Sequence, residues 1–291
     1  MVVFTFSLHN LLSLAILCGK LPFAYIHPIS FSWAQSAAVL MWVVLWSLLR
    51  KNRVLLWVAL PIVCCFVLVK TTTSSTVITT VHVGHGTCHI IQNSNHTTLI
   101  DAGSRGDLDI GSRVLVPKLR SLGVSTINTL IITHADLDHL AGIIDVMQSY
   151  PIQKIVIAPQ TMEHTTPPLE AVLREALLHQ IQIVCGVAGW VEHKESLCFS
   201  IISPTQTDEY YSSNASSIVL LLKTHGRSVL FTGDIDETGI TKIMNSRLGT
   251  IDVMELPHHG QWSEEAKRCI DTMLPRVVIQ STNISRYKKD R

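Results

Sequence analysis

Leu130-Ile131-Ile132-Thr133-His134-Ala135-Asp136-Leu137-Asp138-His139-Leu140-Ala141-Gly142 is the stretch on which the reading of this chain turns. A β-branched strand runs straight into two histidines and two aspartates within six residues. At the carboxyl end of a buried strand, four such groups repel one another or stay solvated unless a cation holds them, because uncompensated charge beside a sheet core is expensive. The alternative, a solvated loop with an incidental His and Asp, leaves the clustering unexplained. Two further polar clusters repeat the placement. The apolar strand Ser228 to Thr232 ends in Gly233-Asp234, and the strand Val253 to Leu256 ends in Pro257-His258-His259-Gly260. Gly-Asp alone is most simply a turn, and His258-His259 alone can be surface histidines of a loop. In a layered α/β fold, however, strand carboxyl ends gather on one edge, where all three clusters can meet.

Around these clusters the pattern alternates short strands with helices. Strands are expected at Val77 to Val83, Cys88 to Gln92, Thr97 to Ile100, Thr129 to Thr133, Lys154 to Ala158, Ile181 to Cys185, Leu197 to Ile202, Ser216 to Lys223, Ser228 to Thr232, Asp252 to Leu256 and Val277 to Gln280. Helices are expected to start near Val114, Leu140, Leu169, Glu237 and Ser263, with hairpin turns at Asn93-Ser94-Asn95 and His225-Gly226. Mixed hairpin and βαβ contexts predict an α/β sandwich rather than an all-parallel sheet.

The first 70 residues are a different material. The chain is 47% apolar and 15% charged, with a formal net charge of +1 and a mean hydropathy of +0.33, which excludes a disordered, collagenous or coiled-coil protein. The first acidic residue is Asp101. Only Lys20, Arg50, Lys51, Arg53 and Lys70 carry charge before residue 71, so the remainder, with 18 basic and all 22 acidic residues, has a formal −4. Apolar runs at 31–49 and 54–69, joined by Arg50-Lys51-Asn52-Arg53, predict a transmembrane hairpin. The basic connection places itself on the cytoplasmic side and delivers residues 71–291 to the outer, periplasmic face of a bacterial inner membrane. Val2 to Cys18 reads as an interfacial amphipathic segment in preference to a third span or a cleaved leader. The expected organisation is a membrane region over 1–70, a polar linker from Thr71 to Thr76 and one domain over 71–291. Seven cysteines show no CxxC spacing and carry no disulfide or metal signal.

His134-Ala-Asp136-Leu-Asp138-His139 resembles the HxHxDH signature of the metallo-β-lactamase superfamily, with Leu99-Ile-Asp101-Ala-Gly103, Phe231-Thr-Gly-Asp234 and Pro257-His-His-Gly260 in the expected order. More narrowly the chain resembles the ComEC family of competence proteins, polytopic membrane proteins with a metallo-β-lactamase-like domain. Val83-Gly84-His85-Gly86 looks like that family's DVGQGD motif, with His82, His85 and Thr87 replacing its Asp, Gln and Asp. Gly123 to His134 and Asn214 to Leu222 are similar to the family as well, and Leu17 to Leu49 is similar to its last transmembrane portion. The resemblance implies an αββα sandwich and one or two divalent metal ions. It implies that His134 and Asp136 bind one ion and Asp138 and His139 a second, that Asp234 bridges them, and that His258 or His259 completes the second position. Asp101 would orient a histidine ligand by hydrogen bonding. The family's further histidine is not evident: His164, His179 and His193 lack a strand-end context, and Asn214 to Ser217 occupies its place, so Asn214 stands in the outer shell. Asp136, a hard carboxylate where most members have a histidine, leans the site from zinc toward manganese or magnesium.

The implied activity is hydrolysis of a phosphodiester or ester, with Asp138 and Asp234 as the residues on which it depends. The expected function is a membrane-tethered hydrolase of nuclease or phosphodiesterase type associated with DNA uptake, its partners the membrane, single-stranded DNA and other competence channel components. The formal −4 opposes a large phosphate-binding surface. The alternative is a catalytically impaired module, a docking part or remnant of a split channel protein, which the missing histidine and the early stop at Arg291 favour. β-Lactam hydrolysis is disfavoured by Asp136, and a shared fold does not license it.

Overall fold

Runs of β-branched residues and leucine build two six-stranded sheets that face each other. The structure is a computed structural model, and it describes residues 37, 40–42, 44, 75–94, 96–163, 165–208 and 212–282. The chain divides into two units, Met1–Thr72 with Arg120–Gly123, and Thr73–Leu119 with Val124–Arg291. The hairpin expected at 31–49 and 54–69 lies outside the described residues except for Ala37, Leu40, Met41, Trp42 and Val44, which are helical. Among the described residues no helix is long and apolar enough to cross a membrane.

The first sheet is ordered β1 (Thr76–Thr80), β2 (His89–Asn93), β3 (His96–Ile100), β4 (Ile127–Ile132), β5 (Ile152–Ile157) and β6 (Gln182–Cys185). Its first three strands pair antiparallel, and β3 to β6 run parallel. Parallel pairing needs crossovers, and these carry helices: α1 (Val116–Ser121), α2 (Leu137–Leu140), α3 (Ile143–Ser149), α4 (Pro159–Glu163) and α5 (Pro167–Leu178). The second sheet is β7 (Val191–Lys194), β8 (Leu197–Ser203), β9 (Val219–Thr224), β10 (Arg227–Phe231), β11 (Val253–Glu255) and β12 (Val277–Ile279), read from β12 to β7. It is antiparallel through β10 and parallel beyond. Its outer face carries α6 (Glu237–Asn245) and α7 (Glu264–Met273).

The apolar continuity of β9 follows from burial on both faces. Leu220 and Leu222 point between the sheets with Ile91, Ile131, Val156, Phe199 and Phe231, whereas Val219 and Leu221 meet Ile240 and Ile243 of α6 and Cys269 of α7. Asp236 and Ser263 cap α6 and α7, their side chains accepting from the backbone of Gly239 and Ala266.

Three expectations shift. Ser216 does not begin a strand: Asn214–Ser216 forms a tight helical turn, and β9 starts at Val219. The helix expected near Leu140 is two, because the Gly142 backbone N–H donates to the Ala102 carbonyl at 2.7 Å instead of to the preceding turn of its own helix. β7, a polar Val-Glu-His-Lys edge strand, has no apolar period to announce it.

Candidate metal centre

The loops that follow β3, β4, β10 and β11 converge at the strand carboxyl ends, and each brings one element of the site. Asp101 follows β3, His134 to His139 follow β4, Asp234 follows β10, and His258 and His259 follow β11. The loops are tied to one another by backbone hydrogen bonds: Asp101 to the Ile131 carbonyl at 2.9 Å, Ala102 to that of His139 at 2.8 Å, Ile218 to that of Thr133 at 3.0 Å and His258 to that of Gly233 at 3.1 Å. The Thr166 hydroxyl, which also caps α5, donates to the Ala135 carbonyl at 2.7 Å. The donor atoms of the site therefore sit on strand-end loops of both sheets that are hydrogen-bonded to one another.

Asp101 is fully buried and sits in the left-handed region at φ 52°, a conformation that costs an aspartate energy and that its contacts hold in place. Its carboxylate accepts from the Thr133 backbone (2.8 Å), the Thr133 hydroxyl (2.7 Å) and His139 Nδ1 (2.7 Å). The Thr133 hydroxyl has one proton, given to Asp101, so at its 3.0 Å contact with His134 the ring Nδ1 must donate. His134 is thereby fixed with a bare Nε2, fully buried and without a hydrogen-bond partner. Burial first, and the neighbouring His139 second, push its pKa down to about 3, so it stays a neutral donor.

Around that nitrogen the remaining groups face one another at distances too long for strong hydrogen bonds. His134 Nε2 lies 3.9 Å from both Asp136 and Asp234, and His139 Nε2 lies 3.3 Å from Asp234 and 3.4 Å from His259 Nε2. His259 Nε2 lies 3.4 Å from Asp138 and 3.2 Å from Asp234. Two donors tetrahedrally placed on a zinc-sized ion stand about 3.4 Å apart. Among the described residues two groups each offer three donor atoms within 4.8 Å of one another: His134, His139 and Asp234, and His85, Asp138 and His259. The residues fit a divalent cation, both in donor chemistry and in the orphaned nitrogen of His134.

Without a cation, protons occupy the site. Burial pushes the His139 pKa down, but the Asp234 and Asp101 carboxylates outweigh it and hold it well above the usual range. His259 follows the same pattern, burial being overcome by hydrogen bonds to Asp138 and Asp234, and rises to about 9. Burial opposes ionisation of Asp234 and Asp138, yet the histidines hold Asp234 well below its ordinary value and Asp138 at about 2. Beneath the site, His89 of β2 meets Glu255 of β11 at 2.9 Å, and Glu255 accepts from the Thr232 backbone, bracing the two sheets.

The grouping differs from the one the sequence suggests. Asp138 and His139 fall into different groups because successive positions on α2 point to different sides, and Asp136 belongs to neither. Asp136 is half-buried, and burial raises its pKa against a hydrogen bond from Ser213. Asn214 opens the tight turn Asn214–Ser216, and among the described residues no hydrogen bond joins its side chain to the cluster. Its neighbours do the work, Ser213 donating to Asp136 and Ser217 accepting from the Asp234 backbone at 3.2 Å. His259 is buried at 2% exposure, whereas His258 is half-exposed and joins neither donor group although its Nε2 stands 3.9 Å from Asp234, a divergence produced by consecutive left-handed residues at φ 50° and 56°. His179 pairs with Glu175 on the exposed side of α5 and His193 lies by Cys198 on β7, while His164 lies outside the described residues. The histidine that does enter is His85, from the β1–β2 loop, whose placement between two glycines was its only local signal.

Residues 82–279 match the family model described as the metallo-beta-lactamase superfamily. ComE operon protein 3 of Bacillus subtilis (strain 168) is 31% identical over 173 residues, covering 59% of this chain and 22% of that protein. Recombination protein 2 of Haemophilus influenzae is 29% identical over 209 residues, covering 70% and 24%. Competence protein ComA of Neisseria gonorrhoeae is 23% identical over 208 residues, covering 71% and 27%. The chain thus spans about a quarter of the length of these curated relatives.

Proposed function

The chain belongs to the metallo-beta-lactamase superfamily, and from that premise we propose that it is a metal-dependent hydrolase of phosphodiester or ester bonds, tethered to a membrane and associated with DNA uptake. The observation that carries the hydrolytic reading is the bare, buried Nε2 of His134, without a hydrogen-bond partner and set among converging carboxylates and imidazoles. A divalent ion held there supplies acidification of water and positive charge for a phosphoryl or ester oxygen. His134, His139 and Asp234 hold one cation position, and Asp138 and His259 contribute to a second, with Asp234 reaching His259 as well. Asp101 fixes the His139 ring by taking its Nδ1 proton in a hydrogen bond, and Ser281 at 3.2 Å does the same for Nδ1 of His259. Asp136, half-exposed at the rim, and His258, facing the adjacent cleft, are the groups available to an incoming substrate and its protons.

That cleft, of about 310 Å³, is lined by His258 and Gln261 together with Asp236 and Glu237, and holds no Lys or Arg. Its acidic lining favours a small phosphoester over a polynucleotide, single- or double-stranded, whose phosphates demand a basic surface. DNA as substrate, other competence channel components as partners, and a hairpin tether with the domain on the outer face rest on the relatives' names and on the apolar, acid-free first 70 residues. Manganese, zinc and magnesium all suit a mixed His/Asp donor set. The alternative is a metal-holding but inactive docking module, favoured by Asp136 standing outside both donor groups.

The test uses the full chain, with bound metal measured and single-stranded DNA and bis(p-nitrophenyl) phosphate assayed with Mn²⁺ or Zn²⁺, beside Asp138→Ala and Asp234→Ala. Hydrolysis lost in both variants is expected. A wild type as inert as its variants, yet metal-loaded, establishes the docking module instead, and one that is inert and metal-free ends both readings.

A further inference from the structure

We propose that His85 is a third protein ligand of the second cation position, acting with Asp138 and His259; the inference rests on the metal-dependent reading of the site. His85 Nε2 lies 3.6 Å from Asp138 Oδ2, and its ring centroid is 4.6 Å from that of His259 at an interplanar angle of 52°. The three donor atoms lie within 4.8 Å of one another. At 3.6 Å the His85–Asp138 contact is too long for a good hydrogen bond, while the 3.4 and 3.6 Å separations match donors sharing one tetrahedral ion, which stand about 3.4 Å apart.

The backbone fixes this placement. The His85 carbonyl accepts from Arg105 at 2.8 Å, the Thr87 backbone donates to the Asp138 carbonyl at 3.1 Å, and Gly103 donates to the Thr87 carbonyl at 3.2 Å. Gly86 lies so close that a Cβ there would come within 2.4 Å of the Gly103 carbonyl oxygen and 2.6 Å of that of Asp138. The loop carrying His85 is thus laid directly on the segment carrying Asp138, and Thr87 reaches the far ring nitrogen of His259 at 3.5 Å. Without His85 this position has two donors of its own, Asp138 and His259, beside the Asp234 Oδ2 that it shares with the first position, His139 being committed to Asp234 Oδ1 and Asp101. A third donor yields the pattern of three protein ligands with one open position that hydrolytic metal centres use.

The experiment is metal titration of the full chain by calorimetry, with Co²⁺ absorption as a second readout, for the wild type, His85→Gln, His85→Ala and His85→Cys. The wild type should take two ions. The Gln and Ala variants should keep the first ion and bind the second more weakly by at least the 10–100-fold that loss of an outer partner alone produces. The Cys variant should gain a near-ultraviolet thiolate-to-cobalt charge-transfer band, which a histidine that merely packs nearby would not yield on replacement. Wild-type affinity for the second ion in the Gln and Ala variants, with no new band in the Cys variant, overturns the proposal and leaves the hydrolase reading standing. So does a wild type that takes only one ion, whereas one that takes none removes both.

Discussion

In the metal-free protein, raising the pH should lower stability, and the site sets the window. His259 keeps its proton to about pH 9 in the folded chain, because Asp138 and Asp234 outweigh the burial of its ring, while in the unfolded chain it loses that proton near 6.5. Between those values the folded state binds more protons than the unfolded state, so unfolding becomes easier as pH rises. The stabilisation is complete below 6.5 and lost as pH climbs through 9. At 1.36 kcal/mol per pKa unit the loss is about 3 kcal/mol, and His139, raised in the same direction, adds to it. For a domain of this size, that is a fall in Tm of roughly 6–12 °C. Calorimetric melts in EDTA at pH 6.5 and 9 measure it, with His259→Gln as a control that should shrink the fall. With Zn²⁺ or Mn²⁺ in excess the trend should flatten or reverse, since the cation displaces the protons and binds better as they leave. A Tm that is level or rising over this window in EDTA would refute the electrostatic account of the cluster.

Other consequences can be measured on the same preparation. Asp101→Ala removes three hydrogen bonds and leaves His139 buried without its carboxylate, and should destabilise the domain by about 3–5 kcal/mol in urea titrations. Gly103→Ala should prevent both folding and metal retention, because its Cβ would stand 2.4 Å from the backbone of Asp138 and His139; soluble yield and metal content report the result. Phe231→Ala, fully buried between the sheets, should cost about 3–5 kcal/mol while the surviving folded fraction keeps its metal.

Much of the fold was legible because its signals are local. The β9–β10 hairpin is announced by His225-Gly226 between apolar runs, and the double-sided burial of β9 by five consecutive aliphatic residues from Ile218 to Leu222. β7 was not legible, since an edge strand of Val, Glu, His and Lys carries neither period nor apolarity, and its place comes from pairing with β8. The split of the helix after His139 was equally hidden, because it depends on the carbonyl of Ala102, forty residues away in sequence, accepting the Gly142 N–H.

By itself the sequence determined which side chains could hold a cation and that strand ends would present them, because residue type and strand period are written locally. Only the tertiary structure decided how those donors are shared. It buried His259 and left His258 half-exposed, parted Asp138 from His139, left Asp136 at the rim with Ser213, and brought His85 to Asp138. The physical reason is that coordination depends on the angles at which loops from four strands and the β1–β2 connection meet. Those angles are fixed by contacts between distant segments, such as Thr87 on Asp138 and His258 on Gly233, that no local pattern encodes.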